Sequence, residues 1–306
     1  MSVYNGAEFL PKSIKSVLGQ SLSNFEFIII DDCSTDNSLK IIKNYKRKDK
    51  RIKIISNKLN LGLTKSLNEG LKIAVGKYIA RIDADDYCRE DRLRKQSDFL
   101  EKNKDVFLVA SWVSIINKNG DVLRVKKVPT TPRAIKKKLE KNNCLFHSSI
   151  MFRGKPCFSY RNKFVYAQDY DLYLNLLTKS KKIVVIPEPL ISYRINYDSI
   201  TVKKKNQQSL FAQKAKEFYW QREKSGKDKY STFKVKEILK KKNDNVNLLR
   251  SKIVFALQLG KFSEAKKLYL RYNKLENSLF VKIPLYMFIN YPVFYKFYRF
   301  LRYGEK

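Results

Sequence analysis

The sequence predicts an α/β protein on an open, mostly parallel sheet flanked by helices, followed by a helical, basic C-terminal extension. Three observations carry this prediction. Short apolar, β-branched runs alternate with amphipathic helical stretches over the first hundred residues. Two of the runs stop on clustered carboxylates, Asp31-Asp32 and Asp83 to Asp86. After about residue 201 the chain turns Lys-rich and helical in pattern. With 306 residues there is enough chain for a sizeable core, in one large domain or two smaller ones.

Element by element, "AEFLPKSIKSVLGQ" reads as an amphipathic helix. "FEFIII", Phe25 to Ile30, is a continuous apolar run suited to a strand buried on both faces. "CSTDNS" offers several N-cap candidates before the helix "LKIIKNY". "RIKIIS" is a second strand. "LTKSLNEGLKIAVG" puts Leu63, Leu67 and Leu71 on one helical stripe and ends on Gly76, a suitable C′ residue. "KYIARI" is a third strand, running into the acids. The rhythm then changes. "FLVASWVSIINKNGDVLRV" predicts a hairpin turning at Asn119-Gly120. "TPRAIKKKLEKN" is a helix with Thr131 as N-cap and Pro132 in first position. "LFHSSIMFR" is a strand, "AQDYDLYLNLLTKS" a helix, and "KIVVIPEPLISYRIN" a strand with a Pro-interrupted tail. No internal repeat stands out.

Composition narrows the function classes. There are 64 Lys+Arg against 29 Asp+Glu, a formal charge of +35. Residues 1 to 100 hold 19 basic and 13 acidic side chains, whereas 201 to 306 hold 26 and 8. Such an excess suits a polyanion, either nucleic acid or an anionic membrane face; a Lys-rich solvated surface accounts for it equally well. Cys33, Cys88, Cys144 and Cys157 are scattered and there is one His, so neither a disulfide framework nor a zinc site is expected, and the thiols read as reduced and cytosolic. Met1 leads straight into "SVYNGAEFL" with no signal-peptide pattern, and no charge-free run is long enough to span a membrane.

In such sheets ligands bind beyond the carboxyl ends of the strands, where both acidic clusters lie. Asp83 and Asp85 are one residue apart, so in an extended segment they share a side. Two hard oxygen ligands on one face suit Mg²⁺ or Mn²⁺, which complete their shells with water and phosphate oxygens. The plainer alternative is that these acids cap the helix starting near Arg89, a role that fits Asp86.

"SVYNGAEFLPKSIKSVLGQSLSNFEFIIIDDCSTDNS", "NLGLTKSLNEGL" and "GKYIARIDADD" together resemble the family 2 glycosyltransferases of GT-A fold, over roughly residues 1 to 200. The resemblance implies a nucleotide-sugar-binding half at 1–110, an acceptor-binding, catalytic half at 111–205 and the basic extension at 206–306. Ser2, Tyr4 and Asp32 would border the nucleotide, with Tyr4 against the base and Asp32 accepting a hydrogen bond from it. Asp83 and Asp85 would form the D-x-D, with Asp85 in direct contact with Mn²⁺ or Mg²⁺. "YAQDYDLYLNLL" makes Asp169 the general base of an inverting transfer, with Asp171 as runner-up. His147 matches a position where the family often has His, and a satisfied strand histidine is the alternative. Arg194 would touch phosphate, while Asn196 stands where the family often carries His. The family's first strand also normally starts several residues before "SVYN".

The implied partners are a nucleotide sugar donor, UDP-linked, and a glycan or lipid-linked acceptor in polysaccharide or glycolipid synthesis. The implied location is cytoplasmic and peripheral, at the inner face of the plasma membrane. "SLFVKIPLYMFINYPVFYKFYRFLRYGEK", interrupted by Pro284 and Pro292, is expected to form short helices suited to a membrane interface or to packing on the catalytic domain. The competing readings are a nucleic-acid-binding protein, disfavoured by the strand-end acids, and an inactive structural relative with a truncated first strand.

Overall fold

A computed structural model describes residues 1–154, 159–195, 204–240, 246–258, 260–276 and 279–295. The readings placed on Cys157, Asn196 and residues 296–306 lie outside the described residues. The chain divides into two compact units, Met1–Lys203 with Leu210–Ile238, and Lys204–Ser209 with Leu239–Lys306.

The first unit opens with a three-stranded parallel sheet, β1 (Ser2–Val3), β2 (Phe27–Asp31) and β3 (Ile52–Ser56), in that order. Helices α1 (Leu10–Leu18), α2 (Ser38–Lys48) and α3 (Leu63–Ile73) make the crossovers and connections. β2 is apolar from Phe27 to Ile30 because both its faces are covered. Phe27 and Ile29 pack with Leu10, Ile14, Ile42 and Ile52, while Ile30 faces α3 so closely that a Cβ on Gly70 would lie 2.9 Å from its Cδ1. The polar run before α2 caps it through Asp36, whose Oδ1 accepts from Ser38 N (2.9 Å), while Asn37, the N-cap, makes no side-chain cap bond. The same run also fastens the loop after β1. Ser34 Oγ accepts from Asn5 N (3.1 Å), Asp36 from Ala7 N (3.0 Å) and Ser38 Oγ from Gly6 N (2.9 Å).

β4 (Tyr78–Ala80), β5 (Tyr87–Cys88), β6 (Val106–Ile116), β7 (Val122–Lys126), β8 (Met151–Arg153) and β9 (Lys182–Arg194) form a second sheet, ordered β4-β8-β6-β9-β5 with β7 on β6. α4 (Arg92–Lys102), α5 (Pro132–Leu139) and α6 (Gln168–Thr178) pack around it. Among the described residues, parallel pairing recurs in this sheet only between β6 and β9, which are joined by a long connection carrying α5 and α6. The other pairs are antiparallel, as hairpins and short returns allow. β9 runs unbroken through Pro187 and Pro189, because a register shift against β6 at Ser111–Trp112 absorbs them.

Three local expectations change. "LFHSSIMFR" is a 3₁₀ turn at His147–Ser149 before a three-residue strand. α3 ends at Ile73 with Ala74 as C-cap, short of Gly76. The Gly76 carbonyl instead receives a close backbone approach that requires glycine at Gly154, where a Cβ would sit 2.3 Å from that oxygen. The boundary expected at 206 falls inside α7 (Lys205–Ser225), and α8 (Val235–Lys240) follows. Phe211, Phe218, Tyr219 and Ile238 join the core cluster of Leu139, Phe164, Tyr170 and Tyr173.

The second unit buries Leu249, Ile253, Leu257, Tyr269, Tyr272, Leu285 and Ile289 among α9 (Val246–Gln258), α10 (Phe262–Leu275) and α11 (Leu279–Asn290). Pro284 lies in the middle of α11 and does not end it; lacking an N–H, it removes one helical hydrogen bond. No helix among the described residues is long and apolar enough to cross a membrane.

Candidate active site

The acidic turn follows β4 and is built by one buried arginine and one serine. Arg81, 5% exposed, pairs its guanidinium with both carboxylate oxygens of Asp83 and donates from Nη1 to Ser148 Oγ (3.1 Å). Burial works against ionised Asp83, but Arg81 outweighs it and holds the carboxyl below its ordinary value. Ser148 Oγ lies against both Asp83 (3.0 Å) and Asp86. It has one proton for two carboxylates. Burial, with the charges of Asp85 and Asp83, pushes the Asp86 carboxyl well above the usual range. Its Oδ1 accepts from Arg194 N (2.8 Å). Asp86 is thus a buried brace rather than a helix cap.

Asp85 differs. Its carboxylate has no side-chain partner among the described residues, and burial with Asp83 nearby pushes it up to about 6. No group of three metal-ligating side chains occurs among the described residues. The acids nevertheless fit a divalent ion that brings most of its own ligands: one uncommitted hard oxygen donor, Asp85, stands beside a fixed, ionised Asp83.

Arg194 is placed next to the turn, but its donors are used internally. Nε donates to the Asp85 carbonyl (3.1 Å), Nη1 to the carbonyls of Asn117 (2.7 Å) and Lys118, and Nη2 to the Tyr87 hydroxyl. The guanidinium also stacks on Phe9, 4.3 Å from the ring centroid. It fastens the acidic turn to the β6–β7 hairpin and to the loop after β1.

Asp169 lies in the first turn of α6, after Ala167, which adopts a left-handed φ of 54°. Asn143 Nδ2 donates to its Oδ2 (2.8 Å). Burial raises its pKa, and the hydrogen bonds from Tyr170 N and Asn143 and the charge of Arg81 work in the opposite direction. Asp171, the runner-up, is 1% exposed and takes Arg161 Nε (2.8 Å) and Nη2. Arg161 continues to Asp228 (2.6 Å), which Arg222 also pairs. Asp171 is an internal ion pair with no free oxygen facing a substrate. His147 is buried, bonds the Tyr160 hydroxyl through Nε2 (2.7 Å), and is held neutral by burial and Arg81.

At the nucleotide end, Asp32 is buried and accepts from Asn57 Nδ2 (2.8 Å), Leu61 N (2.9 Å) and Gly62 N (2.9 Å), which anchors the loop before α3. Tyr4 is 54% exposed. Ser2 sits on β1 opposite Ile30. Their loop borders the acidic turn, since a Cβ on Gly6 would lie 3.5 Å from Ala84 Cβ.

Arg81, Ser148, Asn143 and Arg161 were not singled out from the sequence. Arg81 had a visible signal, a lone charge inside the apolar run "YIARI". The others act across sequence separations of 10 to 67 residues and leave no local pattern.

Residues 1–166 match the model described as Glycosyl transferase family 2. The chain belongs to this family. An uncharacterised glycosyltransferase of Methanocaldococcus jannaschii is 36% identical over 229 residues, covering 73% of this chain and 79% of that protein. The O-antigen biosynthesis glycosyltransferase WbnJ of Escherichia coli is 33% identical over 207 residues, covering 65% and 79%. Among solved structures, S. aureus TarS 1-349 in complex with UDP aligns with a TM-score of 0.55 at 16% identity, covering 94% of this chain and 77% of that one. The same protein with UDP-GlcNAc gives 0.52 at 15% identity, with the same coverage. The fold of this family 2 glycosyltransferase is therefore the GT-A-like one expected from its motifs.

Proposed function

We propose that this glycosyltransferase moves a sugar from a UDP-linked donor to an acceptor hydroxyl, with inversion and with a divalent cation. The observation that carries the reading is the division of labour among its carboxylates. Asp83 and Asp86 are committed to Arg81, Ser148 and Arg194, which leaves Asp85 available to a cation. Asp169, raised by burial, is available to a proton. Asp85 would hold Mn²⁺ or Mg²⁺ with Asp83 assisting. When bound, the ion supplies Lewis-acid neutralisation of charge on the departing diphosphate.

The remaining work falls to the chain. The loop with Ser2 and Tyr4, together with Asp32, would receive the nucleotide, and Arg194 keeps the acidic turn in register with that loop. Asn143 fixes the Asp169 carboxylate, which takes the acceptor's hydroxyl proton as the oxygen attacks the anomeric carbon from the face opposite the leaving group. Inversion follows from that single displacement. UDP is favoured by the UDP and UDP-GlcNAc named for the structural neighbours. A glycan or lipid-linked acceptor in cell-surface polysaccharide synthesis is favoured by the name of the relative WbnJ. The basic load supports action at the surface of an anionic membrane.

Binding and turnover measured over a panel of nucleotide sugars, with Mn²⁺, Mg²⁺ or EDTA, test the reading. UDP-sugar binding that is lost in EDTA, with an inverted product, is the expected result. Equal binding in EDTA and Mn²⁺ would refute the metal, and a retained anomeric configuration would refute the mechanism.

A further inference from the structure

We propose that Thr64 and Asn68, on one side of α3, are positioning residues that hold Asp169 in place through segment 160–164. This role rests on the reading of Asp169 as the general base given above.

Segment 160–164 approaches α6 without helix or strand, so its buried backbone groups need partners from elsewhere. α3 supplies three such bonds. Asn68 acts like the edge of a strand: its Oδ1 accepts from Tyr160 N (2.8 Å), and its Nδ2 donates to Tyr160 O (2.8 Å). The same Nδ2 reaches Asn162 Oδ1 (2.8 Å). One turn earlier, the Thr64 hydroxyl donates to Phe164 O (2.6 Å). Thr64 and Asn68 are four apart, so they share a side of the helix, and both are buried.

Both ends of this arrangement meet the candidate site. Before the first turn of α3, Leu61 N and Gly62 N donate to Asp32, at the nucleotide end. On the other side, Phe164 precedes Asp169 by five residues. Tyr160 bonds His147, whose neighbour Ser148 holds the acidic turn.

A separate observation shows that the approach to Asp169 is constrained. Ala167 has a φ of 54°, a conformation that a residue with a Cβ keeps only where its surroundings impose it. The imposing contacts lie on either side. Downstream, α6 is tied by the Tyr170 hydroxyl to Leu139 O and by Asp171 to Arg161. Upstream, Phe164 sits among Phe211, Phe218 and Phe233 and is bound by Thr64. The rings set where Phe164 sits; the directional bond from Thr64 sets which way its carbonyl, and so the following chain, turns. A base needs this precision, because a displacement of about 1 Å costs on the order of a hundredfold in rate.

The test uses the full chain with substitutions on α3. Thr64→Val keeps the shape and removes the hydroxyl, Thr64→Ser keeps the hydroxyl, and Asn68→Ala removes the bonds to Tyr160. Ser66→Ala is the control. Ser66 also lies on α3, but its Oγ accepts from Asn57 Nδ2 (2.9 Å), at the Asp32 end. The readouts are calorimetric affinity for UDP with Mn²⁺, UDP release from UDP-GlcNAc, amide hydrogen exchange, and NMR titration of the Asp169 carboxyl.

Thr64→Val and Asn68→Ala should lower kcat by about tenfold to a hundredfold, with UDP affinity within about twofold of wild type. Exchange should quicken about tenfold in the first turn of α6 and stay unchanged in β2. Burial raises the Asp169 pKa against Tyr170 N, Asn143 and Arg81, so water reaching a loosened carboxylate should move its titration toward the ordinary aspartate value. Thr64→Ser should restore wild-type behaviour, and Ser66→Ala should leave the exchange of α6 and the titration of Asp169 unchanged.

The proposal is overturned if Thr64→Val and Asn68→Ala lower only the urea midpoint, with kcat, exchange and titration unchanged in the folded protein. It is also overturned if Thr64→Ser behaves like Thr64→Val, or if Ser66→Ala moves the Asp169 titration as far. If wild type releases no UDP, the glycosyl-transfer reading fails, and exchange and titration decide by themselves whether α3 holds Asp169.

Discussion

Asp169→Asn preserves shape and removes basicity. General-base catalysis is worth about 10²–10⁴ in rate, so turnover should fall by that order while donor affinity holds. Because burial raises the Asp169 pKa, kcat should climb with pH through a value above the ordinary carboxylate range, and the variant should lose that limb. The acidic turn allows a sharper contrast. Asp85→Asn should abolish metal-dependent nucleotide binding in calorimetry. Asp86→Asn should bind nearly as well, since an amide can still accept from Arg194 N and donate to Ser148 Oγ. Asp86 has a raised pKa in the folded state, so its stabilising protonated form is fully present below the ordinary aspartate value and lost as pH rises through the raised one. Asp86→Asn should therefore resist urea better than wild type at mildly alkaline pH, and the gap should close toward acid. A smaller urea midpoint for the variant at alkaline pH would refute this. At this scale the carboxylates were legible as alternation after a strand. Their separate duties were not, because these depend on Arg81, Ser148 and Arg194 arriving from elsewhere in the chain.

Among the elements, the two sheets meet their helices through a few positions with little tolerance. Gly154→Ala would place a methyl 2.3 Å from the Gly76 carbonyl, a backbone atom that no rotamer change can move. Forcing β4 and β8 apart should cost about 1–3 kcal/mol, measured as a fall in urea midpoint. Asp171→Asn leaves Arg161 buried with half its pairing gone, and breaking a buried pair costs about 3–5 kcal/mol. Its signature should be lost stability with near-normal turnover in the folded fraction, the opposite of Asp169→Asn. Element types were mostly legible from period and composition. α5 begins as expected, with Thr131 accepting from Ala134 N (3.4 Å). Where expectation failed, a distant contact had displaced a local rule: Gly76 faces Gly154 instead of closing α3, and β9 carries its prolines through a register shift set by β6.

For the whole molecule, the charge gradient was legible and the division of the chain was not. Composition changes near 201, but residues 210–238 complete the first unit, because Phe211, Phe218 and Phe233 surround Phe164 and the pairs of Asp228 with Arg161 and Arg222 lock the segment down. Removing residues 241–306 should leave nucleotide-sugar binding intact, whereas a truncation before Phe211 should abolish it; calorimetry on both checks this.

The same arrangement has a temporal side. Synthesis runs from the amino end at about 5–20 residues per second, and domains fold as their last essential piece emerges. Here that piece ends at Ile238, well after Asp169, so α6 waits with its apolar face uncovered while some seventy further residues are made. Nascent chains stalled before Phe211 clears the ribosome should be cleaved readily around Tyr170 and should recruit a holdase. Once Ile238 is out, both vulnerabilities should end together.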